Sequence, residues 1–184
     1  MFVFHDAQMN VLSLAYGDPE MIPADAGPYI EMPDQEFQTL LGLKIIDNQV
    51  VRDTGDASYQ DSLRRRIDIE RDRRMKAGFL FGGVAYDFDD ASKARITGMA
   101  TLAGFAMGQG AQAGNYHWHG GTDPFVWIAS DNSFVPMDAP TCFAFGQAAA
   151  AHEIAFIFAA RLLKDMVPVP ENFTDPLYWP GGVS

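Results

Sequence analysis

The segment from Phe125 to Met166 constrains the fold of this chain more than any other part of the sequence. Two short apolar runs, Phe125–Ala129 and Ser133–Met137, flank the polar turn sequence Ser-Asp-Asn at 130–132. Apolar runs of this length on either side of such a turn predict a β-hairpin. A long, Ala-rich apolar stretch follows, which favours a helix placed directly after the hairpin.

Asp138 is a suitable N-cap for this helix, which we expect to run over Ala139–Met166, with Pro140 tolerated in the first turn. The helix is apolar around most of its circumference up to Ala160. Much of it should therefore be covered by other elements or by another chain. Charged and polar residues interrupt the run before it reaches the roughly 20 apolar residues of a membrane helix, which predicts a soluble protein without membrane insertion. These residues are His152, Glu153 and Arg161.

The sequence before this segment predicts elements of both kinds. Hairpins are indicated around Asp47-Asn48 and Gly82-Gly83, and a short helix is indicated after Pro33. Longer helices are expected over Asp56–Ala77 and Ala91–Gln109. The predicted fold is α+β, with a small β-rich N-terminal satellite, a charged linking helix, and a C-terminal module of two β-hairpins and two helices. The corresponding domain ranges are 1–53, 54–78, 79–166 for the α+β module, and 167–184 for an extended C-terminal tail.

Charge and cysteine content limit the classes of partner. The net charge is -11, which disfavours nucleic acid as a partner. Seven of the 13 basic residues lie between Arg64 and Lys76, where interleaved acids compensate them. The single cysteine, Cys142, excludes an intramolecular disulfide and is expected to be a buried structural thiol.

One weak metal site can be drawn from the sequence. His117 and His119 are two residues apart, a spacing that places both rings on one face of a strand, and Asp123 is close by. A metal-dependent hydrolase that uses His117, His119 and His152 is therefore kept as an alternative function. No zinc-type Cys pair or His-Glu-x-x-His motif accompanies these residues. We therefore expect no catalytic residues, no metal and no cofactor.

Two groups of residues are candidates for protein interfaces. The first is the thin apolar stripe of the charged helix, which could form a seam between chains, and the second is a set of aromatics in the last third of the sequence. The candidates are Tyr59, Leu63, Ile67, Trp118, Tyr178 and Trp179.

A single hydrophobic core is expected for the C-terminal module. Its predicted members are Phe79, Phe81, Ile96, Leu102, Trp127, Ile128, Phe145, Ile154 and Phe158. All of them lie at apolar positions of the predicted hairpins and helices.

Five runs of residues stand out in the sequence: Ile69-Glu-Arg-Asp-Arg-Arg-Met-Lys-Ala-Gly-Phe, Asp89-Asp-Ala-Ser-Lys-Ala-Arg-Ile-Thr-Gly, His117-Trp-His-Gly-Gly, Trp127-Ile-Ala-Ser-Asp-Asn-Ser and Met137-Asp-Ala. Together they resemble an uncharacterised domain family that occurs in tail-fibre and tail-tip proteins of tailed bacteriophages and prophages. The resemblance covers about residues 56–166. The segment Ile30–Leu41 is similar to the short β-rich heads that precede this domain in phage tail proteins.

This resemblance implies a role but no chemistry. It implies a non-enzymatic structural component of a phage tail, in the fibre or the tip, made in the bacterial host cytoplasm and located in the virion. Other tail proteins would be its partners, a homotrimer would be its assembly, and a host-surface receptor would be a further partner. The alternative is a tail-fibre assembly factor that is not retained in the virion. The family has no established catalytic residues, so none are carried over to this chain.

Overall fold

The computed structural model describes residues 1–37 and 39–181, and it confirms the predicted α+β fold. The described residues form nine strands and three α-helices. The strands are β1 (Phe2–His5), β2 (Val11–Ala15), β3 (Tyr29–Glu31), β4 (Leu43–Ile46), β5 (Gln49–Arg52), β6 (Phe79–Phe81), β7 (Val84–Tyr86), β8 (Val126–Ile128) and β9 (Phe134–Pro136). The helices are α1 (Ala57–Met75), α2 (Asp90–Gly108) and α3 (Ala139–Asp165).

The chain divides into two compact units. The N-terminal unit contains residues 1–66 and 166–171, and the C-terminal unit contains residues 67–165 and 172–184. The boundary therefore falls inside α1, so this helix contributes residues to both units. Predicted domain limits at 53/54 and 78/79 had placed α1 in a separate linking segment.

Small antiparallel sheets build the N-terminal unit. Strand β1 lies between β2 and β3, while β4 and β5 form a separate hairpin. The Ile45 amide donates to the Met9 carbonyl at 2.9 Å, which joins this hairpin to the loop between β1 and β2. The core beneath these strands is aliphatic, and its buried members are Met1, Val3, Val11, Met32, Leu43, Ile45 and Val50.

The short helix predicted after Pro33 is wrong. No helix forms at residues 33–37 or 39–41. Asp34, the expected helix-opening residue, instead lies 2.7 Å from the N-terminal ammonium of Met1. Phe37 and Leu40 pack against the aliphatic core. Long-range contacts therefore override the local helix signal.

The charged helix α1 forms as predicted, with an acidic cap. The Asp56 carboxylate accepts from the Tyr59 amide at 2.9 Å, and its hydrogen bonds with Ser58 and Tyr59 lower the pKa of this carboxyl. Its stripe of Tyr59, Leu63 and Ile67 is buried within the chain, with no more than 4% of each side chain exposed. The prediction that these three residues form a seam between chains is therefore wrong, because buried side chains offer no surface to a second chain.

The C-terminal unit is organised around two packed helices. Contacts between α2 and α3 pair early residues of one with late residues of the other, so the helices run antiparallel. Lys93 forms an ion pair with Glu153, and Gly104 lies beside the Phe143 ring. Between these points a Cβ on Gly146 would overlap the Cβ of Ala100. Glycine at position 146 therefore allows the two helix backbones to approach closely.

The inner face of α3 packs on aromatic rings from the hairpins. The Phe145 ring is fully buried, with centroids 4.6 Å from Tyr86, 5.1 Å from Trp127 and 5.3 Å from Phe79. One hydrogen bond joins the two hairpins, from the Ser130 amide to the Ala85 carbonyl. The core of this unit is therefore aromatic and centred on α3.

The predicted core is confirmed for five of its nine members and wrong for the other four. Phe79, Ile96 and Phe145 are buried, and Phe81 and Trp127 are half-buried beside them. The other four predicted members have more than half of the side chain exposed, because they lie on helix or hairpin faces that point away from the aromatic cluster. They are Leu102, Ile128, Ile154 and Phe158.

Candidate interaction surface

The loop before β8 is fixed by the start of α3. The Trp118 indole N–H donates to the Met137 carbonyl at 2.9 Å, and the Gly114 amide donates to the Asp138 carboxylate at 2.7 Å. Asp138 also caps α3 by accepting from the Thr141 amide, and its hydrogen bonds with Thr141 and Gly114 lower its pKa. Trp118, an interface candidate, is consequently half-buried. It anchors the loop and presents only part of its ring.

The candidate metal ligands do not come together. His117 is exposed, while the His119 ring lies 5.4 Å from the Phe125 ring and its Nε2 is 3.1 Å from the Asp123 carbonyl oxygen. Thus Asp123 meets His119 through its backbone. Throughout the part of the chain that the structure describes, no three His, Cys, Asp or Glu side chains form a group that could hold a metal ion.

His152 is packed among aromatic rings and does not approach His117 or His119 in a metal-binding group. Its ring packs against Phe79, Phe88 and Phe156 with centroids 4.9–5.6 Å away. Its Nε2 lies 3.0 Å from the Met75 carbonyl oxygen. His152 therefore joins the end of α1 to α3 inside the C-terminal unit.

Cys142 is fully buried on the inner face of α3, as predicted. Burial raises the pKa of its thiol to about 11. A thiol with so high a pKa is a poor nucleophile at neutral pH, because the thiolate is the reactive species.

The C-terminal tail lies against the same unit through Trp179. This side chain is buried, its ring stacks 6.2 Å from Phe156, and its indole N–H donates to the Phe173 carbonyl. The Arg74 guanidinium lies 5.3 Å from the Trp179 ring and is itself paired with Glu70. Trp179 is therefore a core residue, which corrects its prediction as an exposed interface aromatic. Tyr178, beside it, is half-buried.

Large apolar side chains of α2 and α3 are exposed on the sides of these helices that do not pack in the C-terminal unit. We call this set of residues the open helical face, and its side chains are 52–68% exposed. Its members recur every three or four residues on each helix and point away from the aromatic cluster. They are Leu102, Phe105, Ile154, Phe158 and Leu162.

Sequence reasoning missed this surface for an identifiable reason. The composition of α3 is apolar on both sides, so periodicity did not distinguish the side that packs from the side that stays open. The signal that was present is the uniform apolar character itself. It led to the expectation that other elements or another chain would cover the helix, and in the structure one side of the helix is exposed.

The charged and polar residues of α3 are not enough to exclude a membrane-spanning helix, although the sequence was interpreted in that way. By length and composition α3 qualifies as a membrane-spanning helix despite His152, Glu153 and Arg161. Core helices of folded domains pass the same test, and one face of α3 packs through Phe145 on the hairpin rings of Phe79 and Tyr86. The absence of membrane insertion stays a prediction.

A second surface feature is an open cleft of about 500 Å³ between β8 and the first half of α2. It carries polar side chains that the sequence reasoning did not connect, because they come from three separate segments. Its lining includes Asp87, Ser92, Arg95, Met99, Trp127 and Asn132.

The comparisons with known proteins concern the part of the chain that carries these surfaces. Residues 58–176 match the model of a family described as a domain of unknown function, DUF4376. No match was found among curated proteins or among solved structures. The predicted resemblance to an uncharacterised domain family is thereby confirmed. Because the match covers more than half of the sequence, this protein belongs to the DUF4376 family.

Proposed function

We propose that this protein is a non-enzymatic structural component of a bacteriophage tail, in the fibre or the tip, and that it works through protein–protein contacts. The tail setting rests on the resemblance of its motifs to domains of phage tail proteins. The mode of action rests on the open helical face. The proposed location is the virion tail, with synthesis in the host cytoplasm, and a host-surface receptor is a further proposed partner.

The open helical face supports a protein partner because of its size and composition. On α3, Ile154, Phe158 and Leu162 follow one another at four-residue spacing and form one exposed apolar stripe. Leu102 and Phe105 are exposed near the end of α2, and Phe105 and Phe158 are 68% and 63% exposed. Contiguous apolar patches beyond a few hundred Å² are uncommon on monomeric proteins and mark interaction sites. Burial releases roughly 25 cal/mol for each Å² of apolar surface, so covering this face would contribute substantially to association.

Serine substitutions on the open helical face test this mode of action. A Phe105→Ser, Phe158→Ser double variant should keep the thermal stability of the wild type, because both rings are exposed. Its incorporation into purified phage particles, measured against wild type by quantitative mass spectrometry, should fall at least about tenfold, equivalent to about 1.4 kcal/mol.

Leu80→Ser is the matched control, since Leu80 lies on β6 of the same unit and is 73% exposed. This control should be incorporated as wild type. Normal incorporation of the double variant would contradict the proposed role of the face.

The second candidate is a tail-fibre assembly factor that binds fibre protein and then leaves. The same exposed face would serve such a transient contact. Mass spectrometry of purified particles distinguishes the two functions. A structural component remains at a fixed number of copies per particle, whereas an assembly factor is lost during purification.

A homotrimer remains the proposed assembly, and it is best tested through exposed rather than buried residues. Leu63→Asp and Ile67→Asp would place carboxylates at fully buried positions, so these variants would unfold the chain rather than only separate its copies. Light scattering on the wild type and on the Phe105→Ser, Phe158→Ser variant measures assembly without that complication. A monomeric wild type at micromolar concentration would exclude the trimer.

A further inference from the structure

The cleft beside β8 combines an aromatic wall with an indole donor. Trp127 and Phe125 are half-buried and line it together with Met99. Trp118 and Trp179 donate their indole N–H groups to main-chain carbonyls, whereas no described residue accepts from Trp127. Because no buried side-chain nitrogen or oxygen among the described residues lacks a partner, the Trp127 N–H reaches solvent.

Polar side chains of different kinds stand around the same cleft. Arg95 is exposed on α2 and forms no ion pair with any described residue. The Asp87 carboxylate accepts from the Ser130 hydroxyl at 2.7 Å, which fixes its position and leaves its other oxygen free to accept. Asn132, held at φ +67°, adds an amide with both donors and an acceptor.

The edge of β8 adds main-chain groups. Hydrogen bonds from Ala129 to Ser133 and from Met137 to Phe125 show which residues of the hairpin face each other. The alternation of an antiparallel ladder then directs the amides and carbonyls of Val126 and Ile128 away from β9. The cleft is lined by these same residues.

We propose that this cleft binds a saccharide. A pyranose ring has an apolar C–H face and a rim of hydroxyl groups that both donate and accept. The cleft supplies an aromatic surface for the first, and side-chain donors and acceptors for the second, from Arg95, Asp87 and Asn132. Its volume of about 500 Å³ lies in the range of small-molecule sites and suits one or two sugar units.

An added peptide strand is the competing occupant, and the structure favours it less. Only Val126 and Ile128 present free main-chain groups at this edge, since the next such amide, that of Ser130, is already bonded to the Ala85 carbonyl. Strand addition draws its affinity from a row of main-chain hydrogen bonds. Two residues give a very short row, whereas Asp87, Arg95 and Asn132 offer side-chain donors and acceptors suited to hydroxyl groups.

This inference goes beyond the proposed tail role, because the cleft and the open helical face involve different residues. A chain that stays in the virion and binds no saccharide would refute the inference alone. A chain that binds saccharide and is absent from particles would refute the structural role alone.

Saturation-transfer NMR on the full chain tests the proposal with galactose, rhamnose, N-acetylglucosamine, glucuronic acid and lactose at millimolar concentration. We expect at least one of them to bind and to change the intrinsic tryptophan fluorescence. Arg95→Ala and Asn132→Gly should each weaken that binding about tenfold or more, because each removes hydrogen-bonding groups. Trp127→Phe, which keeps a ring beside Phe145, should weaken it several-fold.

The matched control is Arg65→Ala, an exposed arginine on α1. It should bind as wild type, and thermal unfolding should show that all four variants are folded. Absence of binding to every sugar, or equal binding by Arg95→Ala and wild type, would overturn the proposal. Protection of the Val126 and Ile128 amides from hydrogen exchange by purified tail proteins, without protection by any sugar, would show strand docking and would also overturn it.

Discussion

The two faces of α3 have similar composition and opposite surroundings. The inner face carries Phe145, Phe156 and Leu163, each no more than 6% exposed, whereas the outer face carries Ile154, Phe158 and Leu162, each more than half exposed. Both faces are apolar, so the hydrophobic effect alone does not decide which of them is buried. The hairpin rings and the close approach of α2 decide it. The outer face is left exposed.

The largest expected difference between the faces is in stability. Phe145→Ala removes the ring at the centre of the aromatic cluster and should cost about 3–5 kcal/mol. Phe158→Ala, on the same helix, should cost less than about 0.5 kcal/mol, because most of its ring is already in water. Urea unfolding of both variants measures these values. Equal costs would show that the outer face is packed within the chain.

Two glycine-to-alanine substitutions in α2 and α3 should change the free energy of unfolding in opposite directions. Gly146→Ala places a methyl group against Ala100 and should destabilise the C-terminal unit by about 1–3 kcal/mol. Gly98→Ala adds its methyl group where no atom lies within 4 Å, and should stabilise α2 by up to about 1 kcal/mol. Thermal unfolding compares them. Destabilisation by Gly98→Ala would place unseen packing on the outer side of α2.

A smaller, pH-dependent effect concerns the tail that covers Phe156. The Arg73 guanidinium, followed by that of Arg74, lowers the pKa of the Glu70 carboxyl to about 2, and Arg74 in turn lies over Trp179. The unfolded-state pKa is about 4.3, so this stabilisation is complete above that pH and is lost as pH falls towards 2. Glu70→Gln should cost roughly 1–2 kcal/mol at pH 7.

The difference in melting temperature between wild type and Glu70→Gln should therefore shrink as the pH is lowered from 5 towards about 2. Asp61→Asn is the control, since Asp61 pairs with Arg64 on the same helix and its side chain is 62% exposed. It should change the melting temperature little, because exposed ion pairs contribute about 0–1 kcal/mol. A Glu70→Gln deficit that is unchanged at pH 2 would remove charge pairing as the cause.

Local signals were enough to predict most elements. The turn at Gly82-Gly83 and the caps at Asp56, Asp89 and Asp138 act within a few residues, and the structure confirms the hairpin and the helices that they indicate. The helix predicted after Pro33 does not form, and Phe37 and Leu40 instead pack against the aliphatic core of the N-terminal unit.

The candidate surfaces were harder to predict because they depend on residues far apart in the sequence. Leu102 and Phe158 were assigned to the core because a helix that is apolar all round gives no direction. The stripe on α1 was too thin to suggest a buried position, yet Leu63 and Ile67 are fully buried. The cleft joins Asp87 to Asn132 only after two hairpins have met at Ala85 and Ser130. The spacing of residues within either hairpin does not indicate that the two hairpins pack together.

The most direct test of the account is hydroxyl-radical footprinting of the free chain and of the chain in purified phage particles. The free chain should be labelled at Phe105, Phe158 and Leu162, and not at Phe145. In particles, labelling of the open helical face should drop to the level of Phe145, because a partner covers it. Equal labelling of Phe105 and Phe158 in both samples, or absence of the chain from the particles, would contradict the proposal.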